Sequence, residues 1–181
     1  MDTELTSSQA FFMMEPTAQA AFFISRNIRH CQLDTSAYCR AFQEVIAVRI
    51  ELNSPQKIIL VSVYLRPETG RSNRGDLAWM THLRSIFPGD VILIGGDFNA
   101  PNVIWGYPRY TPRGAQLERE AQAVNLTLVN DLNISTTTAL HSCQKGTAPY
   151  LTWKSHNLCS SWSCGNDPWG RILARPCMGS R

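Results

Sequence analysis

The sequence predicts an α/β fold of the α+β type, in which helices pack on the faces of a β-sheet. Two stretches, 76–87 and 113–124, carry apolar residues at helical spacing. Each stretch lies between extended segments rich in apolar and β-branched residues, the clearest being 44–52, 57–65 and 91–94. Helices that alternate with strands in this way are typical of a sheet whose faces are covered by helices.

The extended segments of the first half of the chain predict a hairpin. Residues 20–25 form a short apolar run, which indicates a buried strand. Residues 44–52 partly alternate and place Val45 and Ala47 on one side. A Ser-Pro-Gln turn sequence separates them from 57–65. We therefore expect the segments 44–52 and 57–65 to pair as antiparallel strands.

Both predicted helices are amphipathic. In 76–87 the apolar positions recur every three or four residues, and Pro88-Gly89 ends the pattern. In 113–124 the same spacing places its apolar residues on one face. Short strands are predicted at 91–94, 126–129 and 151–154.

A length of 181 residues suits one domain with a sizeable core. We place this domain at 20–155. Residues 1–19 have no clear period, and we expect an irregular N-terminal segment there. Residues 156–181 also lack a period, and we expect a degenerate or disordered C-terminal tail.

The composition argues against a disordered chain and against a membrane protein. Hydrophobic residues make up 44% of the chain, and the net charge is +3. No stretch is long and apolar enough to span a bilayer, and the N-terminus does not resemble a signal peptide. Six cysteines form no Cys-x-x-Cys pair, which favours free thiols in a reducing compartment. We therefore expect an intracellular protein with no membrane partner.

The basic residues are mostly arginines. Arginine favours bidentate phosphate contacts, so the bias fits a nucleic-acid surface. Codon usage explains the same bias equally well.

The most informative stretch is the end of the apolar run 91–94. Two glycines follow the run, and then come Asp97, Phe98 and Asn99. The strand period predicts that Asp97 and Asn99 point to one side and that Phe98 points into the core. A carboxylate there can orient an attacking water, and an amide can hold a phosphate oxygen or fix the carboxylate. The alternative is an ordinary strand-ending turn, in which Gly, Asp and Asn are common.

A longer set of motifs resembles a known family. The string GGDFNAP, followed by WGY, resembles the endonuclease/exonuclease/phosphatase superfamily. It is most similar to the endonuclease domain of non-LTR retrotransposon polyproteins, especially those of arthropods. The segment TPRGAQL at 111–117 and the strand 59–67, which ends in Tyr and an x-Pro turn, extend the resemblance. The similarity covers roughly residues 20–155.

The resemblance implies a two-sheet sandwich with flanking helices, and we expect an incomplete version of it, truncated at both ends. It also implies a Mg²⁺-dependent DNA endonuclease, a hydrolase of phosphodiester bonds that nicks target DNA to prime reverse transcription. The implied cofactor is Mg²⁺, the implied partner is DNA, and a functional protein would be nuclear. The sequence indicates no protein partner.

The resemblance assigns three candidate catalytic residues. Asp97 matches the residue that activates or orients the attacking water, and Asn99 matches the Asn that supports this carboxylate. Tyr64 matches a tyrosine that contacts phosphate, although tyrosines are also common in strands for packing reasons alone.

Candidate DNA contacts lie on the loops that follow the Tyr64 and Asp97 strands. They are Arg66, Arg71, Arg74, Arg109 and Arg113. Solvated loop arginines that contact no DNA are an equal alternative. Thr137, within a run of three threonines, falls where the family has a DNA-contacting threonine. Trp105 and Tyr107 could stack on a base, but core packing is the better expectation.

Three departures from the family predict a weakly active or inactive fragment. The metal ligands are unknown, because the family's Mg²⁺-binding Glu has no clear counterpart: Glu15 matches it only superficially, and little chain precedes it. Tyr150 replaces the Asp of a Pro-Asp-Leu-Thr-Trp motif, and the family's Ser-Asp-His is not found. The alternatives are a DNA-binding remnant without catalysis and a phosphatase of the same superfamily.

Overall fold

A six-stranded sheet forms the centre of the fold in the computed structural model. The structure describes residues 9–12, 18–25, 27–52, 56–67, 76–131 and 150–155. The strands are β1 (Gln9–Phe12), β2 (Phe22–Ser25), β3 (His30–Leu33), β4 (Gln43–Glu51), β5 (Lys57–Leu65), β6 (Val91–Asp97), β7 (Leu126–Leu128) and β8 (Tyr150–Ser155). The helices are α1 (Trp79–Ile86) and α2 (Pro112–Ala123). This architecture confirms the predicted mixed α/β class.

The strand order of the large sheet is β3-β4-β5-β6-β8-β7. The predicted antiparallel hairpin is confirmed, since β4 and β5 pair from Gln43 opposite Leu65 to Glu51 opposite Lys57. β5 and β6 are parallel, and the chain crosses between them through α1. β8 pairs with both β6 and β7 in antiparallel fashion. The ends of β5 and β6 therefore lie beside the start of β8.

One face of the sheet packs against both helices. Alternate apolar residues of β4, β5, β6 and β8 join the buried faces of α1 and α2 in one core. Phe98 is fully buried, as the strand period predicted. Trp105 and Trp153 meet edge to face in this core, with their ring centroids 5.9 Å apart.

The opposite face carries the other residues of each strand. On β5 and β6 this face is apolar at the start of each strand and becomes polar where the strands end. A second, two-stranded sheet pairs β1 with β2. The chain before β2 is bound to Glu44 at the start of β4, because the backbone amides of Gln19 and Ala20 donate to Glu44 Oε2 at 2.6 and 3.1 Å.

Some elements differ from the prediction. β3 was not predicted, because its four residues, His-Cys-Gln-Leu, are too few to give a clear strand pattern, and the strand is formed by pairing with β4. β1 lies within the segment 1–19, for which we predicted no regular structure. α1 begins at Trp79 rather than at 76, since the carboxylate of Asp76 accepts from the Ala78 amide and turns the chain just before the helix.

None of the helices in the described part of the chain is both long and apolar enough to cross a membrane.

Candidate active site

Three polar side chains lie in a row across neighbouring strands. Tyr64 on β5 is the register partner of Asp97 on β6, and Asp97 is the register partner of Tyr150 on β8. Directly opposed residues of paired strands point to the same face, so the three side chains are neighbours on the face away from the helices. Glu44 stands opposite Tyr64 and extends the row onto β4. We call Tyr64, Asp97 and Tyr150 the polar row.

Asp97 is the carboxylate at the centre of the polar row, and it is half-buried. Burial raises the pKa of Asp97, because a desolvated carboxylate is disfavoured. Hydrogen bonds from the backbone and side chain of Asn99 and the charge of Arg113 oppose this shift, and the net pKa stays above the ordinary value. A carboxyl group with a raised pKa beside polar groups is a candidate for acid–base chemistry.

Asn99 does not continue the strand alternation that we predicted. Its φ is 42°, so the chain turns into the left-handed region directly after β6. The Asn99 backbone amide donates to Asp97 Oδ1 at 3.0 Å, and its side-chain Nδ2 donates to the carbonyl of Leu65 at 2.8 Å. Asn99 thus holds the carboxylate in place and joins the end of β5 to the end of β6.

Tyr150 lies on the other side of Asp97. Its pKa is raised by burial and further raised by Asp97 and Tyr64, so its phenol stays protonated at neutral pH. The side chain is 37% exposed, which leaves it accessible to a substrate. Asn130 fixes the local backbone, since its Nδ2 donates to the Tyr150 carbonyl at 2.8 Å. Sequence reasoning treated Tyr150 as the replacement of a carboxylate and did not foresee that a phenol, which can donate a hydrogen bond, would neighbour Asp97 in the sheet.

Arg113 departs most clearly from our expectation. We predicted a loop arginine that contacts DNA, but Arg113 lies in the first turn of α2 and is only 1% exposed. Its Nη1 donates to the carbonyls of Arg66 at 2.7 Å and Asn99 at 3.1 Å. A buried guanidinium bound in this way cannot reach a DNA backbone, so the proposal of a DNA contact is withdrawn for this residue.

The other predicted arginines have different positions. Arg66 and Arg109 are exposed on the segments that follow β5 and β6, as expected. Arg71, Arg74 and Thr137 lie outside the described residues. Glu15 also lies outside them.

The loop between β6 and α2 is held by residues that sequence reasoning did not single out. Asn102 is fully buried, accepts from the Ile104 amide at 2.9 Å and donates to Glu118 of α2 at 3.1 Å. Thr111 caps α2 by accepting from the Gly114 amide, and its hydroxyl donates to the Pro101 carbonyl at 3.0 Å. The signal for both was present, since Asn and Thr are frequent helix-capping residues.

The aromatic residues of this loop pack inward. The Trp105 indole is 1% exposed and donates to the Ala100 carbonyl at 2.8 Å. Tyr107 is half-buried and packs against the core. The core-packing alternative is therefore the correct one for Trp105, and the same packing holds Tyr107 against the core.

The described residues do not by themselves fit a magnesium ion. Mg²⁺ prefers several oxygen ligands with at least one or two carboxylates. In the described ranges, no group of three or more His, Cys, Asp or Glu side chains is arranged to hold a metal. Asp97 has phenols as its neighbours in the row, and Oε2 of Glu44 already accepts two backbone amides.

The mixed sheet with its helical layer is a fold of the endonuclease/exonuclease/phosphatase class. Residues 58–170 match the endonuclease-reverse transcriptase family, and the chain belongs to this family. No curated protein sequence matches the chain.

The chain is similar to several solved structures. The endonuclease domain of TRAS1, a telomere-specific non-LTR retrotransposon, has a TM-score of 0.52 and 17% identity, and the match covers 73% of this chain and 57% of that one. The human Nocturnin catalytic domain with bound sulfate has a TM-score of 0.48 and 18% identity, over 74% and 51% of the two chains. TDP2 of D. rerio, complexed with a single strand DNA product, has a TM-score of 0.41 and 12% identity, over 82% and 62%. The chain therefore spans less than two thirds of each of these proteins.

Proposed function

We propose that this chain is the DNA endonuclease domain of a non-LTR retrotransposon, a phosphodiester hydrolase that is weakly active or inactive in its present form. The observation that carries this proposal is the half-buried Asp97 between Tyr64 and Tyr150 at the ends of three neighbouring strands. Membership of the endonuclease-reverse transcriptase family supports the substrate class. A functional protein of this kind acts in the nucleus.

Each side chain of the polar row has a role in the proposed reaction. Asp97, once ionised, orients a water molecule and accepts its proton as the water oxygen bonds to phosphorus, while the ester bond from phosphorus to the leaving sugar oxygen breaks and solvent protonates that oxygen. The phenols of Tyr64 and Tyr150 donate hydrogen bonds to non-bridging phosphate oxygens, where negative charge develops. Asn99 keeps the Asp97 carboxylate in one orientation through its 3.0 Å amide contact.

Low activity follows from the donor set around Asp97. Family resemblance implies that Mg²⁺ neutralises the charge of the transition state. A single carboxylate with two phenol neighbours is a poor Mg²⁺ site. When catalytic residues act as a unit, the replacement of some of them lowers the reaction rate by several orders of magnitude. The polar row therefore retains a general base and phosphate donors while supplying little metal affinity.

Two exposed arginines on the segments that follow β5 and β6 support a role in DNA binding. Arg66 lies two residues after Tyr64 at the end of β5, and Arg109 lies on the loop between β6 and α2. They are suited to phosphate contacts that orient the duplex without reading its sequence. This observation favours a second candidate, a DNA-binding remnant that grips DNA without cutting it.

A supercoiled-plasmid nicking assay in Mg²⁺ tests the proposal, with the wild-type chain compared with D97A. Slow nicking that is lost in D97A and in EDTA supports a weak endonuclease. DNA binding without Asp97-dependent nicking favours the binding remnant. Vigorous Asp97-dependent nicking contradicts the proposed weak activity. Turnover of a small phosphomonoester with none on DNA points instead to a phosphatase.

A further inference from the structure

Arg113 has an unusual position for a charged side chain. It is the second residue of α2 and is 1% exposed. The positive end of the helix dipole lies at this terminus, so a cation there is disfavoured. Burial of a guanidinium adds a further cost unless the charge is paired and hydrogen-bonded. An arginine kept here despite both costs requires compensating contacts.

The contacts of Arg113 link two chain segments. Its Nη1 donates to the carbonyl of Arg66 at 2.7 Å and to the carbonyl of Asn99 at 3.1 Å. Arg66 lies two residues after Tyr64, and Asn99 lies two residues after Asp97. Tyr64 and Asp97 form the last register pair between β5 and β6. A single nitrogen atom thus joins the two segments just beyond the point where the strands stop pairing.

The first turn of α2, which carries Arg113, is packed tightly against the loop after β6. The α2 helix approaches the loop after β6 so closely that a Cβ atom at Gly114 would lie 2.2 Å from the Pro101 carbonyl oxygen. Thr111 binds the same carbonyl through both its backbone amide and its hydroxyl, each at 3.0 Å. Because α2 is fixed against the loop, Arg113 reaches both carbonyls from a defined position.

We propose that Arg113 is a positioning residue that sets the spacing between Tyr64 and Asp97 by bridging the carbonyls of Arg66 and Asn99. It touches no substrate. The kinetic part of this inference rests on the proposed phosphodiester hydrolysis, while its structural part does not. The charge of Arg113 also opposes the burial-induced rise in the pKa of Asp97, which agrees with their proximity.

The test compares R113M and R113K with a matched control, R84M. Arg84 on α1 also donates from Nη1 to a backbone carbonyl, that of Asp90 at 3.0 Å. Asp90 precedes β6 and lies at the opposite end of that strand from Asp97. R84M therefore removes a similar hydrogen bond without touching the polar row.

The first readout is hydrogen exchange of the Asn99 amide, which donates to Asp97 Oδ1. We expect R113M to accelerate this exchange at least about tenfold relative to R84M, because opening of the loop exposes amides that are protected in the closed state. R113K keeps the charge but loses the guanidinium geometry, and it should be intermediate. Unchanged Asn99 exchange in folded R113M or R113K overturns the proposal, whether or not the protein cleaves DNA.

The second readout is the split between kcat and KM. In a cleaving wild-type protein, R113M should lower kcat about 10- to 100-fold and leave KM within about twofold, because small misplacements of reacting groups affect the chemical step. R84M should leave both unchanged. Equal losses of kcat in R113M and R84M contradict a positioning role. When the wild-type protein does not cleave DNA, the kinetic readout does not apply, and the Asn99 exchange alone decides this inference.

Discussion

Tyr64 and Asp97 stand side by side as the last register pair of the parallel strands β5 and β6. They are 33 positions apart in the sequence, and the α1 crossover brings them together. A phenol and a half-buried carboxylate are thereby placed at the open end of the sheet, where β8 adds Tyr150. The predictions below depend on this arrangement.

The first prediction concerns the stability of an Asp97 variant. Because the pKa of Asp97 is raised above its ordinary value of 3.8, the folded state disfavours the ionised carboxylate. Below the pKa that Asp97 has in the unfolded chain, this residue does not lower the free energy of unfolding. As the pH rises above that value, the free energy of unfolding falls, and the loss is complete once the pH has passed the pKa of Asp97 in the folded state. We expect D97N to have a higher Tm than the wild type at pH 7, and the difference should vanish near pH 3. A lower Tm for D97N at pH 7 would contradict the burial of Asp97.

The raised pKa of Asp97 also predicts how the nicking rate depends on pH. Only ionised Asp97 can accept a proton from water, so the nicking rate should fall on acidification. Since burial raises the pKa of Asp97, this fall should be centred above 3.8. Nicking rates measured from pH 4 to pH 8 provide the check, with plasmid binding followed in parallel as a control. A rate that rises on acidification would exclude Asp97 as the base.

A substitution at Tyr150 should create metal affinity. Opposed residues on paired strands have Cβ atoms about 4.5–5.5 Å apart, so Y150D places a second carboxylate beside Asp97. Two neighbouring carboxylates suit Mg²⁺ far better than one. We expect Y150D to bind Mg²⁺ at least about tenfold more tightly than the wild type by calorimetry. Y150N, of similar size but uncharged, is the matched control, and equal affinities for Y150D and Y150N would refute the geometry of the polar row.

The approach of α2 to the site loop predicts a specific glycine requirement. An added Cβ at Gly114 would lie 2.2 Å from the Pro101 carbonyl oxygen, whereas one at Gly89 would meet nothing within 4 Å. We expect G114A to lower the free energy of unfolding by about 1–3 kcal/mol, which is typical of overpacking. G89A should change it little. Chemical denaturation of both variants tests this difference, and equal stabilities would show that α2 is not seated on the loop.

The exposed arginines on the segments after β5 and β6 should contribute to DNA binding through phosphate contacts. We expect R66M and R109M each to reduce the slope of log K against log salt by about 0.9, the change for one lost phosphate contact on duplex DNA. R119M is the control, since Arg119 is exposed on α2, which covers the other face of the sheet. Fluorescence anisotropy between low and moderate salt measures the slopes. Equal slopes for all three variants would argue against an interface at the polar row.

Much of the fold could be predicted from the sequence because its apolar periodicity is strong. The limits of β5 agree with the prediction, and the buried position of Phe98 follows from alternation. β3 could not be predicted, since four residues are too few to give a clear pattern and only pairing with β4 makes them a strand. Local patterns do not contain that tertiary information.

The candidate site could be predicted in part. Asp97 was found because a carboxylate follows an apolar strand and two glycines. The burial of Arg113 was missed, since an arginine near a helix start usually lies on the surface, and its partners are carbonyls 47 and 14 positions away. The neighbouring Gly114 was the available signal, because a glycine in the first turn of a helix can mark a close backbone approach.

The most direct test of the account is the rate of plasmid nicking in Mg²⁺ by the wild-type chain and by D97N, which keeps the size and shape of the side chain. The account predicts slow nicking by the wild type and a rate at least about 100-fold lower for D97N, because the amide cannot accept the proton of water. Equal rates for the two proteins would mean that Asp97 is not the catalytic carboxylate and that the polar row does not hydrolyse DNA.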